Sequence, residues 1–114
     1  MKTKRYGAVI GVRDESIADY VRIHSEVWPG VLAKIKECNI RNYSIHLRRM
    51  PDGRAYLFSY YEYAGGDHAA DMARMSADPL TQEWWKVCMP MQEPLADRPE
   101  GAWWAPCDEV FHLD

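Results

Sequence analysis

Two runs of alternating residues meet at Met50-Pro51-Asp52-Gly53, and this turn limits the topology more than any other stretch of the chain. Pro51 presets its own φ and Gly53 accepts positive φ, so the segment favours a tight reversal. Before it, Ile40 to Leu47 sets Tyr43, Ile45 and Leu47 against Asn42, Ser44 and His46; after it, Ala55 to Tyr63 is rich in aromatics. Period-2 patterning on both sides of a turn predicts a β-hairpin. A hairpin in mid-chain leaves each flank to supply what extends and covers it.

On the N-terminal flank, Arg5 to Val12 alternates Tyr6, Ala8, Ile10 and Val12 with Gly7, Val9 and Gly11, which predicts a first strand. Its glycines admit close approach of another backbone or a ligand. Asp14 or Ser16 is placed to cap a helix, and Ser16 with Asp19 resembles a capping box built with a shorter acid. Ile17, Val21, His24, Trp28, Val31, Leu32 and Ile35 then recur at helical spacing. Pro29 lacks an N–H and its ring presses on the carbonyl of Ser25, so a kink or break is expected just after His24. Asn39 is a good C-terminal stop.

On the C-terminal flank, Gly65-Gly66 interrupts the chain and Asp67 to Ser76 reads as a short helix. Asp78-Pro79 starts another, with Asp as cap and Pro in the first turn; it carries Thr81 to Cys88 and must yield by Pro90. Pro90 to Pro106 holds four prolines and Trp103-Trp104, which predicts an ordered loop without regular structure that packs across something. Glu109 to Leu113 is expected to close the chain as a short strand. The order β-α-β-β-α-β is the ferredoxin-like pattern of the α+β class, in one domain spanning 1–114. Such a sheet carries helices on one face only. A second copy packed sheet to sheet would cover the other, which makes a homodimer the expected assembly.

Composition narrows the function. With 114 residues, 47% apolar and 27% charged, the chain has ordinary globular make-up. A net charge of −3 and the lack of a basic stripe argue against nucleic acid, whose affinity rests on Lys and Arg. The apolar run Gly7 to Val12 is too short for a signal segment or a membrane span, and Cys38, Cys88 and Cys107 do not form a disulfide framework. A cytoplasmic setting without a membrane partner is expected. His24, His46, His68 and His112 show no HxxxH spacing and there is no CxxC, so no metal site is expected. Gly65-Gly66 has no GxGxxG frame, and Cys88 has no histidine partner in sequence.

Tyr20 and His24 lie one turn apart on one helical face, and imidazole exchanges protons near neutral pH. A histidine beside Ile17, Val21 and Trp28 is ordinarily a satisfied core residue, so both readings stand. Trp84-Trp85 points about 100° apart on a helix: one should pack while the other lines a groove or interface. Indole faces suit the C–H face of a sugar, and two core residues are the plainer alternative. Tyr43 carries nothing by itself.

Taken together, the first strand, Tyr20-x-x-x-His24, Trp28-Pro29, Asn42-Tyr43, Gln82-x-Trp84-Trp85, Met89-Pro90 and Glu109-Val110-Phe111 resemble the L-rhamnose mutarotase family. The resemblance covers almost the whole chain. It implies a dimeric α+β barrel on ferredoxin-like protomers that interconverts the anomers of a 6-deoxy-L-sugar with no cofactor or metal. It also implies His24 as proton donor, Tyr20 and Tyr43 as substrate-binding, and Trp84 and Trp85 as sugar contacts. The base opposite His24 could be Tyr20, His112 or a water. If the proline break ends the helix at His24, the helix C-terminus favours a cation and His24 is expected to hold its proton. The chain departs from the family pattern at Pro94 to Pro106 and in the tail Phe111-His112-Leu113-Asp114, where the rhamnose type commonly has tyrosine at the histidine. That tail looks more like members linked to L-fucose, so the sugar stays open between L-rhamnose and L-fucose. The same protomer shape also serves cofactorless monooxygenases and haem-binding proteins. A non-catalytic sugar-binding module is a further alternative.

Overall fold

The structure, a computed structural model, describes residues 3–114. Strand β1 (Lys4–Val12) leads through a 3-10 turn (Asp14–Ser16) to helices α1 (Ile17–His24) and α2 (Pro29–Glu37). The hairpin β2 (Ile40–Arg49) and β3 (Ala55–Tyr63) follows, then α3 (His68–Ala77) and α4 (Pro79–Cys88), and finally β4 (Gln92–Glu93) and β5 (Ala105–Cys107). The sheet runs β2-β3-β1-β4, with β5 also on β1, and every pairing is antiparallel. This is the ferredoxin-like α+β order inferred from the sequence, with its closing strand divided in two.

Local chemistry accounts for most element ends. The Asp67 carboxylate accepts from Ala70 N at 3.1 Å, and that of Asp78 accepts from Thr81 N at 2.9 Å, so each caps its helix. Asn39 stops the α2 segment at φ 68, and Gly53 turns the hairpin at φ 87. The helix does break after His24, and Pro29 opens α2, where its missing N–H costs nothing. Of the expected stripe, Val31 is buried at 2%, but Val21 and Leu32 are 54% and 46% exposed, and Tyr20, one position before Val21, takes the interior at 4%. The capping box at Ser16 does not form: Ser16 is already in helical backbone, and its side chain makes no cap.

Directly opposed strand residues share a face, so Ile10 with Leu57 and Val12 with Ala55 meet the helices. Tyr20, Val31, Trp84 and Cys88 close the main core over them. Cys38, Ile40 and Met75 form a second cluster, and Ile35 and Trp85 pack against both. Gly11 is needed for its small size: a Cβ there would stand 2.7 Å from the Glu93 carbonyl, where β4 approaches. The aromatics of β3 divide by parity. Tyr61 and Tyr63 point to the helices, while Tyr56, Phe58 and Tyr60 stand on the open face with Val9.

The C-terminal expectation is corrected. The closing strands are Gln92–Glu93, inside the segment expected to lack regular structure, and Ala105–Cys107 at its end, and 109–113 is not a strand. Proline is tolerated at a sheet edge, so Pro106 does not prevent β5. Val110, Phe111 and Leu113 stay 94%, 79% and 80% exposed. The tail is tied by Arg5, which donates to both Glu109 carboxylate oxygens at 2.9 and 3.0 Å.

Asp71 on α3 fastens the second cluster. Its carboxylate accepts from Tyr63 Oη, from Asn39 Nδ2 at 2.9 Å and from Arg74 Nη1 at 2.7 Å. The Tyr63 and Asn39 hydrogen bonds hold its pKa below the ordinary 3.8. A carboxylate with a depressed folded pKa stabilises above its unfolded pKa and loses that effect as pH falls through the folded one. Asp71→Asn should therefore lower the urea midpoint by a constant amount near neutral pH, and the gap to wild type should close below pH 3.8.

Candidate active site

His24 ends α1, and its ring is held from three sides. Nδ1 lies 2.8 Å from the carbonyl of Tyr20, which can only accept, so Nδ1 carries the hydrogen. In the neutral ring, Nε2 is then the bare nitrogen and the one free to exchange a proton. The Tyr20 ring stacks on the imidazole at a centroid distance of 4.2 Å, and the Trp84 indole meets it edge-on at 5.2 Å. Trp28 packs edge-on to Trp84 at 5.1 Å. Burial lowers the His24 pKa from 6.5, against the smaller opposing effect of the Tyr20 carbonyl. Burial thus opposes the charge that the helix end was expected to favour on His24.

Tyr43 reaches this region from β2. Its ring meets Tyr61 edge-on at 5.7 Å, and 44% of the residue is exposed. Crowding of its hydroxyl nevertheless pushes the pKa up to about 12, with the Cys88 thiol adding to the rise. Burial also raises the Tyr20 pKa, and Cys88 and Tyr43 reinforce the shift, so the three groups sit within electrostatic reach of one another. Cys88 itself is pushed up to about 12 by burial, which keeps it a neutral thiol. The chain thus gathers one proton-exchanging group and two protonated phenols.

The tryptophan pair separates. Trp84 is 7% exposed and touches His24; Trp85 packs between the two cores without ring contact to His24. Several neighbours carried no sequence signal. Tyr61 Oη is 2.8 Å from His68 Nε2, and Tyr6 stacks on both rings at 5.1 and 4.4 Å. Gln92 Nε2 donates to Tyr20 Oη at 3.0 Å, while Trp103 Nε1 donates to Gln92 Oε1 at 2.7 Å. Tyr61 fell within the aromatic-rich strand without being singled out, and Gln92 lies 72 residues from Tyr20 in the chain. Trp103 and Trp104 pack on their own protomer's main core.

His112, one of three options for the opposing base, stands elsewhere. It faces Asp114 at 3.5 Å and acts on Glu62 and Glu109 along the tail. A crevice of about 420 Å³ lined by Arg13, Asp14, Arg54 and Glu93 includes none of the candidate residues. Among the described residues, no three His, Cys, Asp or Glu side chains are grouped to hold a metal, and no helix is long and apolar enough to cross a membrane.

Known proteins place the chain in a family. The family model described as L-rhamnose mutarotase matches residues 5–113. An L-rhamnose mutarotase of Oceanobacillus iheyensis is 31% identical over 111 residues, which cover 97% of this chain and 99% of that protein. One of Lactiplantibacillus plantarum is 30% identical, covering 96% of this chain and 98% of that protein. The crystal structure of an L-rhamnose mutarotase from Formosa agariphila superposes with a TM-score of 0.72 at 17% identity over 97% of this chain and 99% of that one, a match of fold. The chain belongs to the L-rhamnose mutarotase family.

Proposed function

We propose that the protein interconverts the α and β anomers of L-rhamnose by opening and reclosing the pyranose ring, with His24 as the proton-transfer group. The carrying observation is the His24 ring itself, with Nδ1 committed to the Tyr20 carbonyl, Nε2 left bare, and the Trp84 indole edge-on to the ring. In its neutral form Nε2 takes the proton of the anomeric hydroxyl. The C1–O5 bond then breaks as the C1 carbonyl forms, and the ring oxygen receives the proton from the imidazolium. Both oxygens are attached to C1, so one imidazole can serve both. Rotation about C1–C2 and reclosure reverse the steps on the other face. Tyr20 and Tyr43, protonated throughout, hold the sugar's hydroxyls, and Trp84 and Trp85 supply its apolar wall. A group that must both take and give a proton works best with a pKa near the working pH.

NMR saturation transfer between the two anomers tests this reading. The protein should exchange L-rhamnose anomers faster than buffer alone; if it does so for neither L-rhamnose nor L-fucose, the reading fails. Faster exchange of L-fucose would select the alternative that the tail, with its His112, supports. The pH dependence has a definite sign. Because neutral His24 starts the cycle, the rate constant should rise with pH, reach half its plateau below pH 6.5 and then level off.

Two further readings concern setting. A homodimer joined at the open face of the sheet is supported by Val9, Phe58 and Tyr60 standing there beside one another, and sedimentation should give twice the mass of one chain. A cytoplasmic setting is supported by three free thiols, of which Cys107 is exposed.

A further inference from the structure

We propose that Gln92 and Trp103 are positioning residues that lock the Tyr20 hydroxyl as a hydrogen-bond donor to the sugar. The inference rests on the functional reading above. It follows from counting donors and acceptors along one chain of contacts. An indole N–H can only donate, so the Gln92 atom facing Trp103 Nε1 at 2.7 Å must be the carbonyl oxygen. The other end of the amide, its NH₂, then faces Tyr20 Oη at 3.0 Å and donates to it. A flipped amide would set N–H against N–H. Trp103 thereby decides which way Gln92 points, and Gln92 decides that the Tyr20 oxygen accepts.

The hydrogen on Tyr20 Oη is therefore left over. Among the described residues it has no acceptor, although Tyr20 is only 4% exposed and Gln92 only 5%. A buried hydroxyl hydrogen without an acceptor is uncommon, because its desolvation goes uncompensated until a partner arrives. Burial also keeps the hydroxyl protonated. The group that completes this set is an oxygen able to accept, next to the imidazole that stacks on the same phenol. The ring oxygen and the hydroxyl oxygens of a pyranose can all accept, so a phenol left with a hydrogen to give is matched to one of them. The β4–β5 loop that carries Trp103 thus acts on the reaction through Gln92 and Tyr20.

Gln92→Glu tests the relay by inverting it with nearly the same shape. A carboxylate accepts from both Trp103 Nε1 and Tyr20 Oη, which spends the Tyr20 hydrogen inward. Gln92→Met is the counterpart: it removes both hydrogen bonds but leaves the Tyr20 hydrogen free to donate. Plateau values of kcat/KM for L-rhamnose anomer exchange, taken from full pH profiles so that a charge effect on His24 is separated, should rank Gln92→Met above Gln92→Glu. The Glu variant should fall about ten-fold below wild type, the worth of one hydrogen bond. Tyr20→Phe should show a similar loss, and adding Gln92→Glu to it should cost nothing more. Gln92→Glu exchanging as fast as Gln92→Met, or losses that multiply in the double variant, would overturn the relay. If Gln92→Glu does not fold, Trp103→Phe takes its place: it frees the amide to turn, and wild-type kcat/KM there would equally overturn it. A wild-type protein that exchanges no anomers defeats the functional reading instead, so the two failures are distinct.

Discussion

Replacing His24 with alanine should lower the protein's acceleration of anomer exchange by about 10²–10⁴-fold, the usual worth of a positioned acid–base group. The fold should survive. His24 is half-buried at the end of α1, and its only hydrogen bond among the described residues is to its own helix, at the Tyr20 carbonyl. Circular dichroism and the urea midpoint should therefore change little while saturation transfer collapses. His24→Ala has a second consequence that separates catalysis from binding. Tyr20 keeps its bond to Gln92, and Tyr43 and Trp85 are untouched, so the sugar should still bind with an affinity within a few-fold of wild type. If His24→Ala exchanges anomers as fast as wild type, the proton-transfer role is lost whatever the family. Imidazole added to the buffer should restore part of the rate, since the vacated space lies at the helix end rather than within the core.

Replacing Trp84 with alanine should have the largest effect on stability. Trp84 is 7% exposed, lies in the main core with Ile10, Leu57 and Cys88, and contacts both Trp28 and His24. Removing a buried indole costs about 3–5 kcal/mol through lost burial and the cavity left behind. For a domain of this size that is a fall in Tm of more than roughly 10 °C. Trp84→Phe should recover much of that stability while loosening the edge-on wall that holds the imidazole. Thermal unfolding and exchange rate together separate the two roles: a catalytic deficit in the Phe variant at near-wild-type Tm marks the orienting contact. Trp85→Ala, at a half-buried position between the two cores, should destabilise less. Equal losses for the two alanine variants would contradict the division of the pair.

The elements themselves were readable because their causes are local. Pro51 and Gly53 determine the hairpin, Asp67 and Asp78 cap their helices with their own carboxylates, and Pro29 ends α1 at His24 whatever packs around it. The Tyr20–His24 spacing likewise required only helical geometry to bring the two rings into a stack. What failed locally is equally instructive. Val21 and Leu32 fitted a helical stripe, but the stripe is broken between two short helices and both residues face outward. The residues at 109–113 had strand character, yet the edge of β1 was already taken by β4 and β5.

The candidate site divides along the same line. From the sequence alone came the α+β order, the Tyr20–His24 pair one helical turn apart, and the resemblance to the family. Only the tertiary structure decided which tryptophan touches His24, that burial disfavours its charged form, that His112 faces Asp114, and that Trp103 and Gln92 form a hydrogen-bonded chain to the Tyr20 hydroxyl. The physical reason is range. Propensity, capping and turn chemistry act over a few residues and are written into the chain locally. Desolvation and hydrogen-bond direction depend on groups as far apart as Tyr20 and Gln92, which become neighbours only when β4 pairs with the end of β1.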